Sequence, residues 1–170
     1  MPGIRMFAAI LAVGSLAVLT ACQAVGSEPA VPEPAVSILA QAGAQCPDTG
    51  LGAPADGSAS VPAATVYRDA ASMRTAVGQT PALADWRVDF ASGETVLRID
   101  AGAQPNPGWR LRVEAPRLDV GRLMLLVPAA VQPPAPGSFH AQVISFPCRY
   151  LHLSAARYQA VEIVSPAPVR

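Results

Sequence analysis

The sequence contains no lysine, and histidine occurs only twice among its 170 residues. All 12 basic residues are arginine, and 12 acidic residues balance them, so the formal net charge is zero. A protein without excess positive charge lacks the electrostatic attraction to phosphates on which nucleic-acid binding depends. We therefore expect no nucleic-acid partner.

Catalytic motifs are also missing. No serine or cysteine lies in a nucleophile-elbow motif or a Cys–His signature. Gly102 and Gly108 flank prolines, and no predicted helix follows that could bind a phosphate at its N-terminus. We interpret His140 and His152 as surface or capping residues, because His152 alternates with core-facing leucines and His140 opens a predicted strand. The sequence thus predicts a protein that is not an enzyme.

Candidate metal ligands are sparse as well. A metal site needs three or four His, Cys, Asp or Glu side chains at close spacing. Asp85 and Asp89 are four residues apart, which in a strand separates them by about 13 Å. We expect neither a metal nor another cofactor.

The longest apolar run, residues 6–19, is too short to span a bilayer as a mature helix. It follows a short basic segment and ends at Leu19-Thr20-Ala21-Cys22, which resembles a bacterial lipobox. The resemblance implies cleavage before Cys22, diacylation of its thiol and acylation of the new amino terminus, which together give stable membrane anchoring. Because Gln23 follows, rather than the Asp that retains some lipoproteins at the inner membrane, the outer membrane, facing the periplasm, is favoured. An ordinary secretory signal is the alternative.

Two further cysteines remain, Cys46 and Cys148. Exported domains fold in an oxidising compartment, so this pair indicates a disulfide. Closing a loop of about 100 residues would contribute roughly 4–5 kcal/mol on the chain-entropy model. The alternative is a buried free thiol at Cys148 and an unpaired Cys46 in a linker.

Residues 23–62 are dominated by Ala, Pro, Gly and Ser. Repeated proline blocks helix and sheet pairing, and few large apolar side chains are present to offset the entropy of ordering. We therefore predict a signal peptide at residues 1–21, lipidated Cys22 and a tether at residues 22–62, a β domain at residues 63–166 and a tail at residues 167–170. Within the tether, only residues 36–39 have the composition to dock on the domain.

An alternating stretch, residues 94–114, is the predicted centre of the domain. Leu97 and Ile99 alternate with charged residues, and so do Trp109, Leu111 and Val113 after a turn rich in Gly and Pro. A period of two is typical of half-buried strands, and the turn predicts that the two strands pair as a hairpin. The charged face is interpreted as solvated sheet surface, with partner recognition as the alternative; it carries Arg98, Asp100, Arg110, Arg112 and Glu114.

Further strands are predicted at residues 65–67, 86–90, 122–127, 140–146, 148–153 and 159–164. A helix is predicted at residues 70–78, with Asp69 as its N-cap, and the proline-rich residues 131–137 predict a loop or an edge. Seven or eight short strands with one short helix indicate a mainly β domain, which is either a small antiparallel β-sandwich or a partly closed barrel.

Turn motifs occur at three places in the sequence: Gly102-x-x-Pro105-Asn106-x-Gly108-Trp109, Pro134-Ala135-Pro136-Gly137 and Phe146-Pro147-Cys148. Together with Val88-Asp89-Phe90, they resemble the PrcB C-terminal domain family, which is named for an accessory lipoprotein subunit of a bacterial surface protease complex. The resemblance covers residues 65–164. It implies a non-catalytic, β-rich module that supports a protein partner, such as a protease or another envelope complex.

The turn at residues 102–109 is the part that we predict to contact such a partner. Asn106 and Pro107 are expected at its exposed tip, where residues are free to bind, and Trp109 is expected in the core. Two alternatives remain open. Asn106-Pro107-Gly108-Trp109 also resembles a loop of the chagasin-type inhibitors of cysteine proteases, and a small envelope enzyme of unknown reaction is a third class.

Overall fold

The computed structural model describes residues 36–47 and 61–167. The predicted signal peptide, the lipidated Cys22, most of the predicted tether and most of the predicted tail lie outside these residues. Among the described residues, no helix has the length and apolarity needed to cross a membrane.

The described residues form eight strands and one α-helix. They are β1 (Ile38–Gln45), β2 (Ala63–Tyr67), α1 (Ala70–Gln79), β3 (Thr95–Asp100), β4 (Arg110–Val113), β5 (Arg117–Asp119), β6 (Met124–Gln132), β7 (Pro147–Leu153) and β8 (Ala160–Val164). Single 3-10 turns lie at Pro81–Leu83 and Phe90–Ser92.

The strands form two sheets that pack face to face. The first sheet has the order β1-β7-β3-β2, and all its neighbours are antiparallel. In the second sheet β6 pairs antiparallel with β4 and β5 and parallel with β8. The core between the sheets includes Leu97, Ile99, Leu151 and Leu153 from the first sheet and Leu111, Leu125, Val127 and Val131 from the second. The predicted fold class is confirmed as a mainly β sandwich, and the described strands do not close into a barrel.

A second apolar cluster covers the opposite face of the first sheet. Val96 and Tyr150 point into it from β3 and β7, and Met73 from α1 packs over them together with Leu83 and Trp86. Because β3 and β7 carry apolar side chains on both faces, they occupy the two central positions of their sheet, where both faces are buried.

The predicted hairpin of β3 and β4 is wrong. Both strands exist, but β3 pairs with β2 and β7, whereas β4 pairs with β6 in the other sheet. The nine residues 101–109 between them cross from one sheet to the other, a distance of about 10 Å in packed sheets. A connection rich in Gly and Pro is compatible with either path. In this fold β2 and β7 occupy both edges of β3, so β4 pairs in the other sheet.

Part of the predicted tether belongs to the fold. Ile38–Gln45 forms β1, which pairs with β7 along its length and begins within residues 36–39, the part predicted to dock. β1 is made of Ala, Gly and Gln after its first two residues. These side chains give no apolar alternation, so the strand is specified by its long-range pairing rather than by its own pattern.

Two predicted strands are absent. Residues 86–90 are irregular and lead into the 3-10 turn, because the Asp89 carboxylate accepts hydrogen bonds from the backbone N–H groups of Ala91 and Ser92. Residues 140–146 form a loop with one isolated bridge, between Gln104 and Ser145, and Phe146 at its end hydrogen-bonds to Gln45 and Cys46. The predicted helix and its Asp69 cap are confirmed, as are the strands β2, β7 and β8.

Candidate interaction surface

One end of the sandwich is built from two loops, residues 102–109 and 133–146, which we call the loop face. The first loop leaves β3 and enters β4, and the second leaves β6 and enters β7. Since Arg110 pairs with Gln132 and Asp100 with Cys148, the strands bring both loops to the same end of the domain.

Hydrogen bonds join the two loops into one unit. The backbone N–H of Gln104 donates to the carbonyl of Ser145 at 2.8 Å, and the N–H of Ser145 donates back at 3.0 Å. The Ser145 hydroxyl also donates to the carbonyl of Asn106 at 2.9 Å. Gln104 and Ser145 are both buried, so the link is protected from water and the loops are held in a fixed relation.

The turn predicted to contact a partner has a constrained tip. The side-chain oxygen of Asn106 accepts a hydrogen bond from the N–H of Gly108 at 2.9 Å, which closes the turn on itself. Pro105 and Pro107 are exposed, whereas Asn106 is half-buried. Trp109 is half-buried and packs against the main core. Asn106 therefore shapes the turn with its side chain, and the exposed surface at the tip is proline.

His140 lies against the same turn and is half-buried. A β-carbon placed on Gly108 would lie 2.4 Å from Cδ2 of its ring, closer than any real contact. Nε2 of His140 lies 2.9 Å from the hydroxyl of Ser138. These residues, with Arg110, Gln132 and residues 133–135, surround a cleft of about 570 Å³.

Beside this cleft, the loop face exposes large apolar side chains. Phe139 is fully exposed at 101%, Val143 at 57% and Ile144 at 67%. Sequence reasoning missed them, because the alternation of Val143 with polar residues suggests a strand with one buried face. Apolar residues clustered in one exposed loop are typical of an interaction site.

The cysteine pair lies at this end of the first sheet. Cys46 and Cys148 form a disulfide with a Cα–Cα distance of 5.9 Å, as predicted. Asp100 lies beside it, and one atom from each of the three residues falls within 4.8 Å of the others. Because both sulfurs are committed to the disulfide, they are not thiolate ligands, and the group is not a metal site in this state. The bond instead ties the edge strand β1 to the centre of the sheet.

The predicted charged face divides between two sheets. Arg98 lies in the first sheet, where its Nε contacts Asp100 at 2.9 Å, and both side chains are largely buried. Arg112 lies in the second sheet and pairs with Glu114 near the surface. Burial raises the pKa of the Asp100 carboxyl, and the neighbouring Arg98 opposes that rise. The Arg98–Asp100 pair is thus part of the interior and not of a binding face.

A second concavity, which we call the helix groove, lies between α1 and residues 81–90. It has a volume of about 620 Å³ and is lined by apolar side chains such as Met73, Leu83 and Trp86. Trp86 stacks on the buried ring of His152, and Nε2 of His152 lies 2.8 Å from Oε2 of Glu94. The prediction of a surface role for His152 is therefore wrong, since the fold covers its strand with the 81–90 segment.

Glu94 fastens that segment to the sheet. Its Oε2 also accepts the backbone N–H of Asp89 at 2.8 Å. This hydrogen bond, and then the contact with His152, lower the pKa of Glu94. In the part of the protein that the structure describes, the imidazole of His152 is bonded to this carboxylate and not to a hydroxyl or thiol, so the pair positions Asp89 and Trp86 rather than activating a nucleophile.

No family model matches this sequence, and no curated protein or solved structure is significantly similar to it.

Proposed function

We propose that this protein is an envelope lipoprotein, anchored through Cys22 in the outer membrane, whose β domain binds a protein partner through the loop face without catalysing a reaction. The observation that carries the proposal is the exposure of Phe139, Val143 and Ile144 in one loop. Burying such side chains against a partner removes apolar surface from water, which is the main source of association free energy.

The loop face is organised before a partner arrives. The buried Gln104–Ser145 bridge joins its two loops, and the contact of His140 with Gly108 holds the second loop against the turn. A surface fixed in this way loses less conformational entropy on binding than a disordered one. This rigidity supports recognition of a defined partner surface.

The backbone enters β1 far from the loop face. β1 begins at Ile38, opposite Leu153, and ends at Gln45, opposite Pro147, where the second loop enters β7. Eight residues in a strand span about 25 Å. The backbone therefore enters the first sheet at the end away from the loop face, and an anchor that precedes β1 does not have to pass across the binding surface.

The resemblance to the PrcB C-terminal domain supports the kind of partner. The Pro105–Trp109 turn and the Pro134–Gly137 turn, which carry that resemblance, line or flank the same cleft. We therefore propose a secreted or surface protease, or another envelope complex, as the partner. The domain would support that partner and not cleave a substrate itself.

The binding proposal is tested by site-specific photocrosslinking in cells. A benzoylphenylalanine at position 139 should give a discrete adduct, identified by mass spectrometry, and Val143→Ser with Ile144→Ser should abolish it. The matched control is the same label at Val120, which is also exposed but lies in the turn before β6, at the opposite end of the sandwich. Equal adducts at both positions, or an adduct unaffected by the double substitution, would contradict the proposal.

The anchor is tested separately. Wild-type protein should incorporate an alkyne-palmitate analogue and fractionate with membranes, and Cys22→Ser should lose both properties. Cys46→Ser is the control for labelling at another cysteine. Unchanged labelling of the Cys22→Ser variant would end the lipoprotein proposal while leaving the binding surface untouched.

A further inference from the structure

The two loops of the loop face are uncharged, and one arginine directly follows the first of them. Residues 102–109 and 133–146 contain no Asp, Glu, Lys or Arg, and Arg110, directly after the first loop, is the first charge on this surface. It is exposed at the start of β4 and lines the 570 Å³ cleft together with His140 and Gln132. An uncharged apolar surface with one cation at its cleft favours a ligand that combines apolar groups with one negative charge.

Among the described residues, no acidic side chain forms an ion pair with the guanidinium of Arg110. The nearest arginine on its own strand, Arg112, contacts Glu114 at 2.6 Å, and Arg98 contacts Asp100 in the other sheet. None of the ion pairs among the described residues includes Arg110. Its positive charge is therefore available to a group from outside the described domain.

The cleft beside Arg110 suits a carboxylate that is flanked by apolar groups. Its walls are the rings of Pro133 and Pro134, the imidazole of His140 and the bare backbone of Gly108. Arginine binds carboxylates through two parallel hydrogen bonds, and such charge-assisted bonds are the strong ones. The fully exposed Phe139 lies in sequence between Ser138 and His140, which both line the cleft, and would be available to an apolar side chain beside the carboxylate.

We propose that the partner presents a short segment with one carboxylate, from Asp, Glu or a free carboxyl terminus, between apolar side chains, and that Arg110 binds this carboxylate. The inference rests on the proposed function of the loop face. A protein segment is favoured over an anionic membrane, because anionic lipid surfaces are bound by clusters of Lys and Arg, and Arg110 is the one such residue that lines this cleft. It is favoured over a small molecule because the exposed apolar side chains extend beyond the cleft.

The inference is tested with a phage-displayed heptapeptide library selected on the immobilised full-length protein in detergent. Peptides with an acidic residue or a free carboxyl terminus beside aliphatic or aromatic residues should be enriched on the wild type. Arg110→Gln should remove that acidic preference and weaken the best peptide about tenfold or more. Arg112→Gln is the matched control, since Arg112 already pairs with Glu114, and it should select the same peptides as the wild type.

The two proposals fail in different ways. If acidic peptides are still enriched on Arg110→Gln, or if neutral peptides dominate on the wild type, the inference about Arg110 is overturned. If Val143→Ser with Ile144→Ser still weakens peptide binding in that case, the proposed binding surface stands. If this double substitution leaves peptide binding unchanged, the proposed surface is wrong as well. Binding to phosphatidylglycerol vesicles that Arg110→Gln abolishes, without peptide selection, would assign the loop face to a membrane and overturn both.

Discussion

The imidazole of His140 occupies the space that a side chain at Gly108 would need, with only 2.4 Å between Cδ2 and the position of an added β-carbon. The backbone of Gly108 does not have a positive φ, so alanine would adopt it without strain. The glycine is therefore required by the neighbouring ring and not by its own conformation. This contact couples the turn at residues 102–109 to the loop that carries Phe139.

Gly108→Ala should displace His140 and the second loop while leaving the two-sheet core intact. We expect the crosslink from position 139 to fall several-fold and the melting temperature to change little. Adding His140→Ala should restore the crosslink, because removing the ring makes room for the new methyl group. Full crosslinking by Gly108→Ala alone, or no recovery in the double variant, would show that the contact does not set the loop position.

The disulfide should contribute substantially to stability. Cys46 and Cys148 are 102 residues apart, and a loop of this size corresponds to about 4–5 kcal/mol on the chain-entropy model. Cys46→Ser with Cys148→Ser should lower the free energy of unfolding by up to that amount in urea titrations. Non-reducing peptide mapping of the exported protein should show the two peptides linked, and two free thiols there would contradict the prediction.

The buried pair of Arg98 and Asp100 should be far more sensitive than the surface pair of Arg112 and Glu114. Arg98→Met leaves an uncompensated buried carboxylate and should cost about 3–5 kcal/mol, whereas Arg112→Met should cost less than about 1 kcal/mol. Side-chain exposures of 14% and 6% in the first pair, against 37% and 30% in the second, account for the difference. Equal losses in both variants, measured by chemical denaturation, would contradict this reasoning.

The Arg98→Met variant should also have a characteristic pH dependence. Burial raises the pKa of Asp100, and Arg98 opposes that rise, so removing the guanidinium raises this pKa further. The ionised carboxylate then destabilises the fold at neutral pH, and protonation relieves the cost as the pH falls through the raised pKa. The deficit relative to wild type should therefore shrink on acidification. A further change of Asp100→Asn should make the deficit independent of pH.

Protonation of Glu94 at acid pH should change the environment of Trp86. Its pKa lies below the ordinary value of 4.5, because the N–H of Asp89 and His152 stabilise the carboxylate. The contribution of the Glu94 carboxylate to folding stability is fully present at pH values above its ordinary pKa. It is lost as the pH falls through the lowered pKa of the folded protein. In a Trp109→Phe background Trp86 is the sole tryptophan, and its emission should shift in this acid range. Glu94→Gln should remove the acid-linked shift, and Glu114→Gln should leave it unchanged.

Local signals in the sequence predict the individual elements well. Asp69 caps α1 as expected, and Val161 and Ile163 alternate with the exposed Glu162 in β8. These features depend on residues close in sequence, where capping and the period of two apply.

Strand pairing was not predictable in the same way. The alternation in β3 and β4 identifies two strands but not their partners, and a nine-residue connection permits both a hairpin and a crossing between sheets. The sequence does not predict β1, because its Ala, Gly and Gln residues show no alternation of apolar and polar side chains. Its partner β7 also lies about 100 residues away. The register with β7 depends on the whole fold, which a short window of sequence does not contain.

The candidate site was predicted in part. The motif from Pro105 to Trp109 predicts a hairpin turn; a loop does lie there, but it connects strands of two different sheets. The exposure of Val143 and Ile144 could not be inferred, because apolar alternation usually marks a buried face. Where the sequence predicts a strand, at residues 140–146, Ser145 forms only a single bridge. The neighbouring apolar residues are therefore not packed against a sheet and are exposed to water.

The position of β7 between β1 and β3 has a consequence for the order in which the molecule can assemble. β7 is the seventh strand in sequence order, so neither β1 nor β3 gains this neighbour until residue 153 has been synthesised and released. Contacts of such high sequence separation require loop-closure entropy to be overcome before they stabilise anything, and folds dominated by them take milliseconds to seconds to form. A nascent polypeptide that ends before Pro147 would hold β1 and β3 with unpaired edges, the state from which β proteins aggregate. Folding of this domain should therefore follow completion of synthesis and should depend on whatever keeps the unfinished strands apart.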